Sequence, residues 1–193
     1  FLNTNSGHGL FSYSMDEGCD WYIEQTDKFT EDEIRQRLTE MTGYVGELSE
    51  GKYYRIISYY GLGLVDTEDV GGDMHTVDID ANNIAQYWTL TKNGSNWKIQ
   101  NVLTERFVIP QTTTSAAFHT TSADHVEQFN LNVSFKITRL DGDWDYKWTI
   151  AAPGESRGFH DASGQGHNMV LWSTEAAASV WQFQEAEVSQ EAI

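Results

Sequence analysis

The sequence predicts an all-β protein that carries one short helix near its N-terminal end, and three observations support this fold class. Short runs of alternating apolar and polar residues recur from residue 53 onward, separated by polar turns. Two tight-turn dipeptides, Asn93-Gly94 and Asp141-Gly142, each lie between runs of this kind. Three segments of about 45 residues also resemble one another, which indicates an internally repeated fold.

The helix is predicted over residues 30–42. Thr30 followed by Glu33 matches a capping box, in which the hydroxyl and the carboxylate satisfy exposed backbone N–H groups. Gly43 is a natural stop. An apolar stripe recurs between them at spacings of four and three residues, formed by Ile34, Leu38 and Met41.

The other predicted elements are short strands. In the body of the chain they cover residues 53–58, 86–91, 97–102, 129–138, 146–151, 169–173 and 180–184. Residues 10–14 and 21–25 are predicted to form a separate antiparallel pair near the N-terminal end. Because a lone two-stranded pair is marginal in water, it must pack on the same chain or on another copy, and we expect the first.

The composition excludes several classes of protein. The chain has 193 residues, 29 acidic and 12 basic side chains, and a formal net charge of −17. Nucleic acids and anionic membranes attract clustered Lys and Arg, so neither is expected as a partner. No apolar run approaches the roughly 18 residues that span a bilayer. The acidic, aromatic-rich composition is typical of secreted or cell-surface proteins, and we expect a monomer in that location.

The repeats become visible when their first and last strands are aligned. The first strands read aromatic, polar, Ile in Tyr54-Arg55-Ile56, Trp97-Lys98-Ile99 and Trp148-Thr149-Ile150. The last strands contain the aromatic residues Trp88, Phe135 and Trp181, which lie 47 and 46 residues apart. We expect these three side chains to be buried at equivalent positions around a pseudo-threefold axis.

The end of the first repeat, Gln86-Tyr87-Trp88, matches a Gln-x-Trp signature. Together with the threefold pattern, it resembles the ricin-B-type β-trefoil lectin domains, although the later repeats keep only Val133-x-Phe135 and Ser179-x-Trp181. The resemblance implies a β-trefoil in which six strands form a short barrel and six more cap one end. It also implies a noncatalytic carbohydrate-binding module of a larger secreted bacterial protein.

This resemblance divides the chain into four parts. The β-trefoil domain covers residues 44–187, the linker helix residues 30–43 and a C-terminal tail residues 188–193. Residues 1–29 resemble the closing hairpin of a trefoil repeat, because Trp21-Tyr22-Ile23-Glu24 echoes Trp181-Gln182-Phe183-Gln184. This piece is either the remainder of another trefoil module or an unrelated strand pair that decorates the barrel.

In sugar-binding members of the family, a competent repeat offers an Asp, an aromatic platform and an Asn three residues before the Gln. Carboxylate and amide groups bind vicinal hydroxyls, while an aromatic face covers the C–H patch of the sugar ring. The first repeat supplies Asp66, Asn83 and Gln86, with Tyr59, Tyr60 or His75 as the platform. The alternative is that Asn83 and Gln86 only cap a local turn.

The third repeat supplies a second candidate site, although Ser179 stands in place of the Gln. Its candidate residues flank a Gly-rich turn at residues 164–166 and are His160, Asp161, Asn168 and Trp172. In the second repeat, Ile109-Pro110-Gln111 replaces the acidic position, and we expect that repeat to bind nothing.

Catalytic and metal-binding patterns are weak, so no enzyme activity, metal or other cofactor is expected. There is no Gly-x-Ser-x-Gly elbow, and Cys19 lacks an evident base. Asp141, Asp143 and Asp145 are more typical of an acidic hairpin tip than of a calcium loop. Two hypotheses remain: a lectin-like module that binds a glycan, or a protein-interaction or spacer trefoil that serves other domains of a parent protein.

Overall fold

The computed structural model describes residues 2–4, 10–12, 42–67, 71–140 and 146–186. The chain divides into two units, Phe1–Ile34 and Arg35–Ile193. In the first unit, β1 (Leu2–Thr4) pairs antiparallel with β2 (Leu10–Ser12). The predicted strand at residues 21–25, the C-terminal tail and all of the predicted helix except Thr42 lie outside the described residues. The pairing of residues 10–14 with residues 21–25 therefore stays a prediction.

The second unit is built mostly from strands. In chain order they are β3 (Tyr53–Ser58), β4 (Gly63–Val65), β5 (His75–Val77), β6 (Tyr87–Asn93), β7 (Asn96–Asn101), β8 (Phe107–Val108), β9 (Thr120–Thr121), β10 (Ser134–Arg139), β11 (Trp148–Ala151), β12 (Arg157–Ala162), β13 (Asn168–Ser173) and β14 (Trp181–Ala186). An α-helix, α1 (Ala123–Phe129), follows β9, and short 3-10 turns lie at Ile84–Gln86, Ser163–Gln165 and Ala177–Ser179.

Six of these strands pair in a closed ring. β3 pairs with β6, β6 with β7, β7 with β10, β10 with β11, β11 with β14, and β14 again with β3. The remaining strands form the hairpins β4–β5, β8–β9 and β12–β13. Because the ring is closed, none of its strands presents a free edge that could pair with another chain.

The three hairpins are joined to one another by a closed triangle of backbone hydrogen bonds. The Met74 N–H donates to the Phe118 carbonyl at 2.9 Å, and the Phe118 N–H donates to the Met169 carbonyl at 2.9 Å. The Met169 N–H then donates to the Met74 carbonyl at 2.8 Å. All three side chains are buried, so the triangle lies in the interior and uses backbone groups that water cannot reach.

The core contains the three aromatic residues that the repeat spacing predicts. Trp88, Phe135 and Trp181 are fully buried, which confirms that part of the prediction. The indole N–H groups of Trp88 and Trp181 donate to the carbonyls of Leu64 and Phe159, both at 3.0 Å. The two buried indoles therefore leave no donor unsatisfied.

The predicted strand over residues 129–138 is wrong in its first half. Phe129 is the last residue of α1 and is 56% exposed, and β10 begins only at Ser134. Ser122 begins the helix by accepting a hydrogen bond from the His125 N–H at 3.2 Å, and Asn130 ends it in the left-handed conformation. The sequence also fails to predict β4, β5, β8 and β9, because two or three residues are too few to show an alternating pattern, and it misses the six-residue β12.

Truncation of any one core aromatic should lower the free energy of unfolding by about 3–5 kcal/mol, because it removes apolar contacts and leaves a cavity. The variants are Trp88→Ala, Phe135→Ala and Trp181→Ala, measured by urea denaturation followed by circular dichroism. Leu103→Ala, at an exposed position, is the control and should change stability by less than about 1 kcal/mol. Small effects at all three aromatic positions would contradict this account of the core.

Candidate functional site

Asp66 follows β4, and its carboxylate is engaged inside the chain. Oδ2 accepts hydrogen bonds from Nε and Nη2 of Arg106, at 3.2 and 3.0 Å, and from the hydroxyl of Thr104. Oδ1 accepts from the hydroxyl of Thr120 at 2.9 Å. Asp66 is 3% exposed and Arg106 is 7% exposed, so this is a buried ion pair in which both carboxylate oxygens accept hydrogen bonds.

The two amides predicted beside Asp66 hold local turns. The fully buried Gln86 donates from Nε2 to the Asp78 carbonyl at 2.8 Å and accepts at Oε1 from the Asp80 N–H at 3.1 Å. Asn83 begins the 3-10 turn by accepting from the Ala85 N–H at 3.1 Å. These contacts correspond to the alternative role for Asn83 and Gln86, that of capping a turn.

The contacts described for two aromatic-platform candidates of the first repeat, Tyr59 and His75, do not include Asn83 or Gln86. Tyr59 is exposed and makes an edge contact with Tyr60, with ring centroids 5.3 Å apart. His75, on β5, is half-buried and has Nδ1 3.3 Å from the Asp73 carbonyl. Asn168, a candidate of the third repeat, lies opposite His75 in the pairing of β13 with β5.

Three of the four candidates in the third repeat come together in one groove. The groove has a volume of about 390 Å³ and is lined by His160 and Asp161 of β12, Trp172 of β13 and Tyr60 from the connection between β3 and β4. The turn at Ser163–Gln165 forms part of its rim. Tyr60 and Trp172 are 45% and 43% exposed, so the groove presents two aromatic rings to solvent.

The Asp161 carboxylate lies at the floor of this groove and is fully buried. Oδ2 accepts from the Thr76 hydroxyl at 2.7 Å, and Oδ1 lies 2.8 Å from Nδ1 of His167. A carboxylate oxygen can accept two hydrogen bonds, and each oxygen of Asp161 accepts one from these two side chains. Asp161 differs from Asp66 in that, among the described residues, its ionic partner is a His and not an Arg.

His160 forms one wall of the groove, and its tautomer follows from its neighbours. The Ser179 hydroxyl donates its only hydrogen to the Ser173 carbonyl, at 2.7 Å. It lies 2.9 Å from His160 Nδ1, so in that hydrogen bond Nδ1 is protonated and donates to Ser179 Oγ. Nε2 is then the unprotonated nitrogen and can accept a hydrogen bond from a ligand. Burial lowers the pKa of His160, with a smaller opposing effect from the charge of Asp161, so the ring is neutral at pH 7.

Sequence reasoning places Tyr60 beside the first-repeat candidates and does not identify Ser163 or His167. In the structure the Tyr60 hydroxyl lies 3.1 Å from Ser163 Oγ, a residue 103 positions away. No local pattern reports a contact over such a separation. The only available signal is the Gly-rich turn that precedes His167.

A second groove, of about 610 Å³, lies beside α1. Its lining mixes charged, amide and apolar side chains, among them Lys98, Phe107, Glu127 and Asn132. The sequence predicts no ligand for this groove.

Among the residues that the structure describes, no three His, Cys, Asp or Glu side chains are grouped so as to hold a metal ion. No helix in the same part of the chain is both long and apolar enough to cross a bilayer.

Comparison with known proteins identifies the fold. No family model matches the chain, and no curated protein does. Solved structures do match. A β-trefoil named BEL is 12% identical, with a TM-score of 0.60, and the match covers 72% of this chain and 97% of that one. The Macrolepiota procera ricin B-like lectin in complex with lactose is 15% identical, with a TM-score of 0.60 and coverages of 72% and 99%, and the designed threefold-symmetric protein ThreeFoil is 13% identical, with a TM-score of 0.58 and coverages of 69% and 99%.

These likenesses define a class of fold. The chain is a β-trefoil, a fold that ricin B-like lectins share. At identities of 12–15%, the likeness extends to the fold alone.

Replacement of Arg106 by Met should lower the free energy of unfolding by about 3–5 kcal/mol, because the buried Asp66 carboxylate is left without its counter-charge. The double variant Asp66→Asn/Arg106→Met should recover a large part of this loss, since the isolated charge is then absent. Urea denaturation of the wild type, both single variants and the double variant measures the coupling. A loss below about 1 kcal/mol in Arg106→Met would contradict a stabilising role for this pair.

His160 should make folding stability depend on pH below neutrality. Its pKa is lowered in the folded state, so the unfolded chain takes up the proton first as the pH falls. The contribution is therefore complete above the ordinary histidine pKa of about 6.5 and decreases as the pH falls from there through the folded-state pKa. His160→Gln should lack this component, which urea midpoints at pH 7.5 and pH 5 would show. An identical pH dependence in wild type and variant would argue against it.

Proposed function

We propose that this β-trefoil is a noncatalytic carbohydrate-binding module of the lectin type, and that a saccharide binds in the groove formed by Tyr60, His160, Asp161 and Trp172. The observation that carries the proposal is the presence of two exposed aromatic rings and an acceptor imidazole around one groove of about 390 Å³. Grooves that bind small ligands combine apolar faces with a few oriented polar groups in this way.

The chemistry of the groove fits a neutral sugar. The C–H face of a pyranose can lie on the indole of Trp172, whose centroid is 6.1 Å from the ring of His160. Neighbouring hydroxyls can then donate to His160 Nε2 and exchange hydrogen bonds with Ser163. A neutral ligand also avoids repulsion from a chain whose net charge is −17.

We further propose one site in the described part of the trefoil rather than one in each repeat. Beside Asp66, the guanidinium of Arg106 takes the place that a ligand would need next to the carboxylate. The lactose complex of the Macrolepiota procera lectin is consistent with sugar binding on this fold, and it supports the class of ligand only.

The setting of the module is proposed from composition and resemblance. It is a monomeric, secreted or cell-surface domain of a larger bacterial protein, with residues 44–187 as the trefoil. Residues 1–29 and the helix predicted at residues 30–43 would connect it to neighbouring domains.

The alternative is a protein-interaction or spacer trefoil without a sugar site. The internal hydrogen bonds of Asp66 and Gln86 favour it, because two of the predicted sugar-binding groups are used within the chain. The two functions differ in one result: only the first requires saturable binding of a free saccharide.

Galactose- or glucose-type sugars should bind the wild type with a dissociation constant near the millimolar range, or about −4 kcal/mol. Trp172→Ala should weaken binding at least about tenfold, because it removes the stacking face of the groove. Isothermal titration calorimetry and a glycan array provide the measurement. Phe129→Ala removes an aromatic ring of similar exposure on α1, outside the groove lining, and should bind as the wild type does.

If the wild type binds no saccharide at millimolar concentration in either assay, the carbohydrate proposal is wrong and the interaction or spacer role replaces it. If Trp172→Ala and Phe129→Ala both bind with wild-type affinity, sugar binding occurs elsewhere on the chain.

A further inference from the structure

His167 contacts two residues that line the proposed saccharide groove, Asp161 at its floor and Tyr60 at its side. Its Nδ1 lies 2.8 Å from Oδ1 of the buried Asp161 carboxylate, and an ionised carboxylate only accepts, so Nδ1 donates. Its ring also makes an edge contact with Tyr60, with centroids 5.3 Å apart and an angle of 78° between the planes. One side chain therefore joins an acidic group to an aromatic ring from a distant part of the chain.

The backbone of His167 is held in an unusual conformation. Its φ is +62°, in the left-handed region that favours Gly and is uncommon for a residue with a Cβ. The His167 N–H donates to the Ala162 carbonyl at 3.1 Å, and its own carbonyl accepts from the Thr76 N–H at 3.0 Å. The backbone there favours Gly, so the two side-chain contacts give a physical reason for a His at this position.

Asp161 has one further side-chain contact in the described structure, and Tyr60 has a hydrogen bond and an edge contact with the exposed Tyr59 ring. Asp161 accepts a hydrogen bond from the Thr76 hydroxyl at 2.7 Å, and the Tyr60 hydroxyl lies 3.1 Å from Ser163 Oγ. Without His167, each group would keep a single side-chain hydrogen bond. A carboxylate held at one oxygen and a ring held at its hydroxyl can turn, and a groove discriminates between ligands only when its polar groups are fixed.

We infer that His167 is a positioning residue of the saccharide groove: it fixes the Asp161 carboxylate and the Tyr60 ring, and so sets which hydroxyl configuration the groove prefers. This inference rests on the proposed carbohydrate-binding function. His167 itself is not among the residues that line the groove, so its effect on a ligand passes through Asp161 and Tyr60.

Lactose and cellobiose are suitable probes, because they differ only in the configuration of one hydroxyl. His167→Gly relieves the left-handed backbone and removes both side-chain contacts. It should bind the preferred disaccharide about tenfold more weakly and lose most of the preference between the two. His167→Asn tolerates the same backbone conformation, and its amide can donate to Asp161. It should keep the preference but bind both disaccharides several-fold more weakly, since the contact with the Tyr60 ring is lost.

His119→Ala is the matched control. His119 also lies beside a carboxylate, with Nδ1 3.4 Å from Oδ1 of Asp73, but neither residue lines the groove. It should bind both disaccharides as the wild type does. Urea midpoints of all variants establish that each one is folded before its affinity is compared.

The outcomes separate this inference from the proposed function. If the wild type binds neither disaccharide, this inference fails, and the carbohydrate proposal fails with it only if the glycan array also shows no binding. If the wild type binds and folded His167→Gly keeps both the affinity and the preference, the inference is wrong while the proposed function stands. Should His167→Gly not fold, wild-type affinity for both disaccharides in His167→Asn overturns the inference.

Discussion

The closed triangle of hydrogen bonds between Met74, Phe118 and Met169 is the constraint on which the rest of the structure depends. An isolated two-stranded hairpin is marginal in water, and four of the hairpin strands have only two or three residues. They are stable here because the hairpins bind one another through buried backbone groups and pack on the barrel. The three hairpins and the closed ring of six strands therefore stabilise each other. Neither the hairpins nor the groove could form from local sequence alone.

The same triangle positions the two buried carboxylates. In a strand, residues two apart point to the same face, and Thr76 and Thr120 lie two positions beyond Met74 and Phe118. Their hydroxyls donate to Asp161 and Asp66, respectively, each on a strand or loop of another hairpin. The two Asp residues thus share one structural contact, and their difference comes from the second contact that each makes.

The second contact of each Asp determines whether the space beside its carboxylate is filled or forms a groove. Asp66 binds the guanidinium of Arg106, a large planar cation that satisfies the carboxylate and occupies the space beside it. Asp161 binds the smaller imidazole of His167, and Tyr60 then forms a wall instead of filling the space. The two positions differ in the side chains that other connections supply: Arg106, between β7 and β8, fills the space at Asp66, whereas His167 and Tyr60, from two further connections, leave a groove at Asp161.

The sequence by itself determined the all-β class and the buried aromatic residues of the core. Trp88, Phe135 and Trp181 could be found because their spacing is regular and because a buried ring at the end of a strand leaves a local pattern. It also identified His160, Asp161 and Trp172, which lie close together in the chain on one hairpin.

Only the tertiary structure decided which Asp lies in a groove. Leu64-Val65-Asp66 and Phe159-His160-Asp161 have similar local patterns, so nothing near either residue distinguishes them. The distinction depends on Arg106, 40 residues from Asp66, and on Tyr60, which meets Ser163 across 103 residues. Contacts over such separations arise only when the barrel closes and the hairpins meet, because the energy of a buried charge is set by the groups that surround it in space.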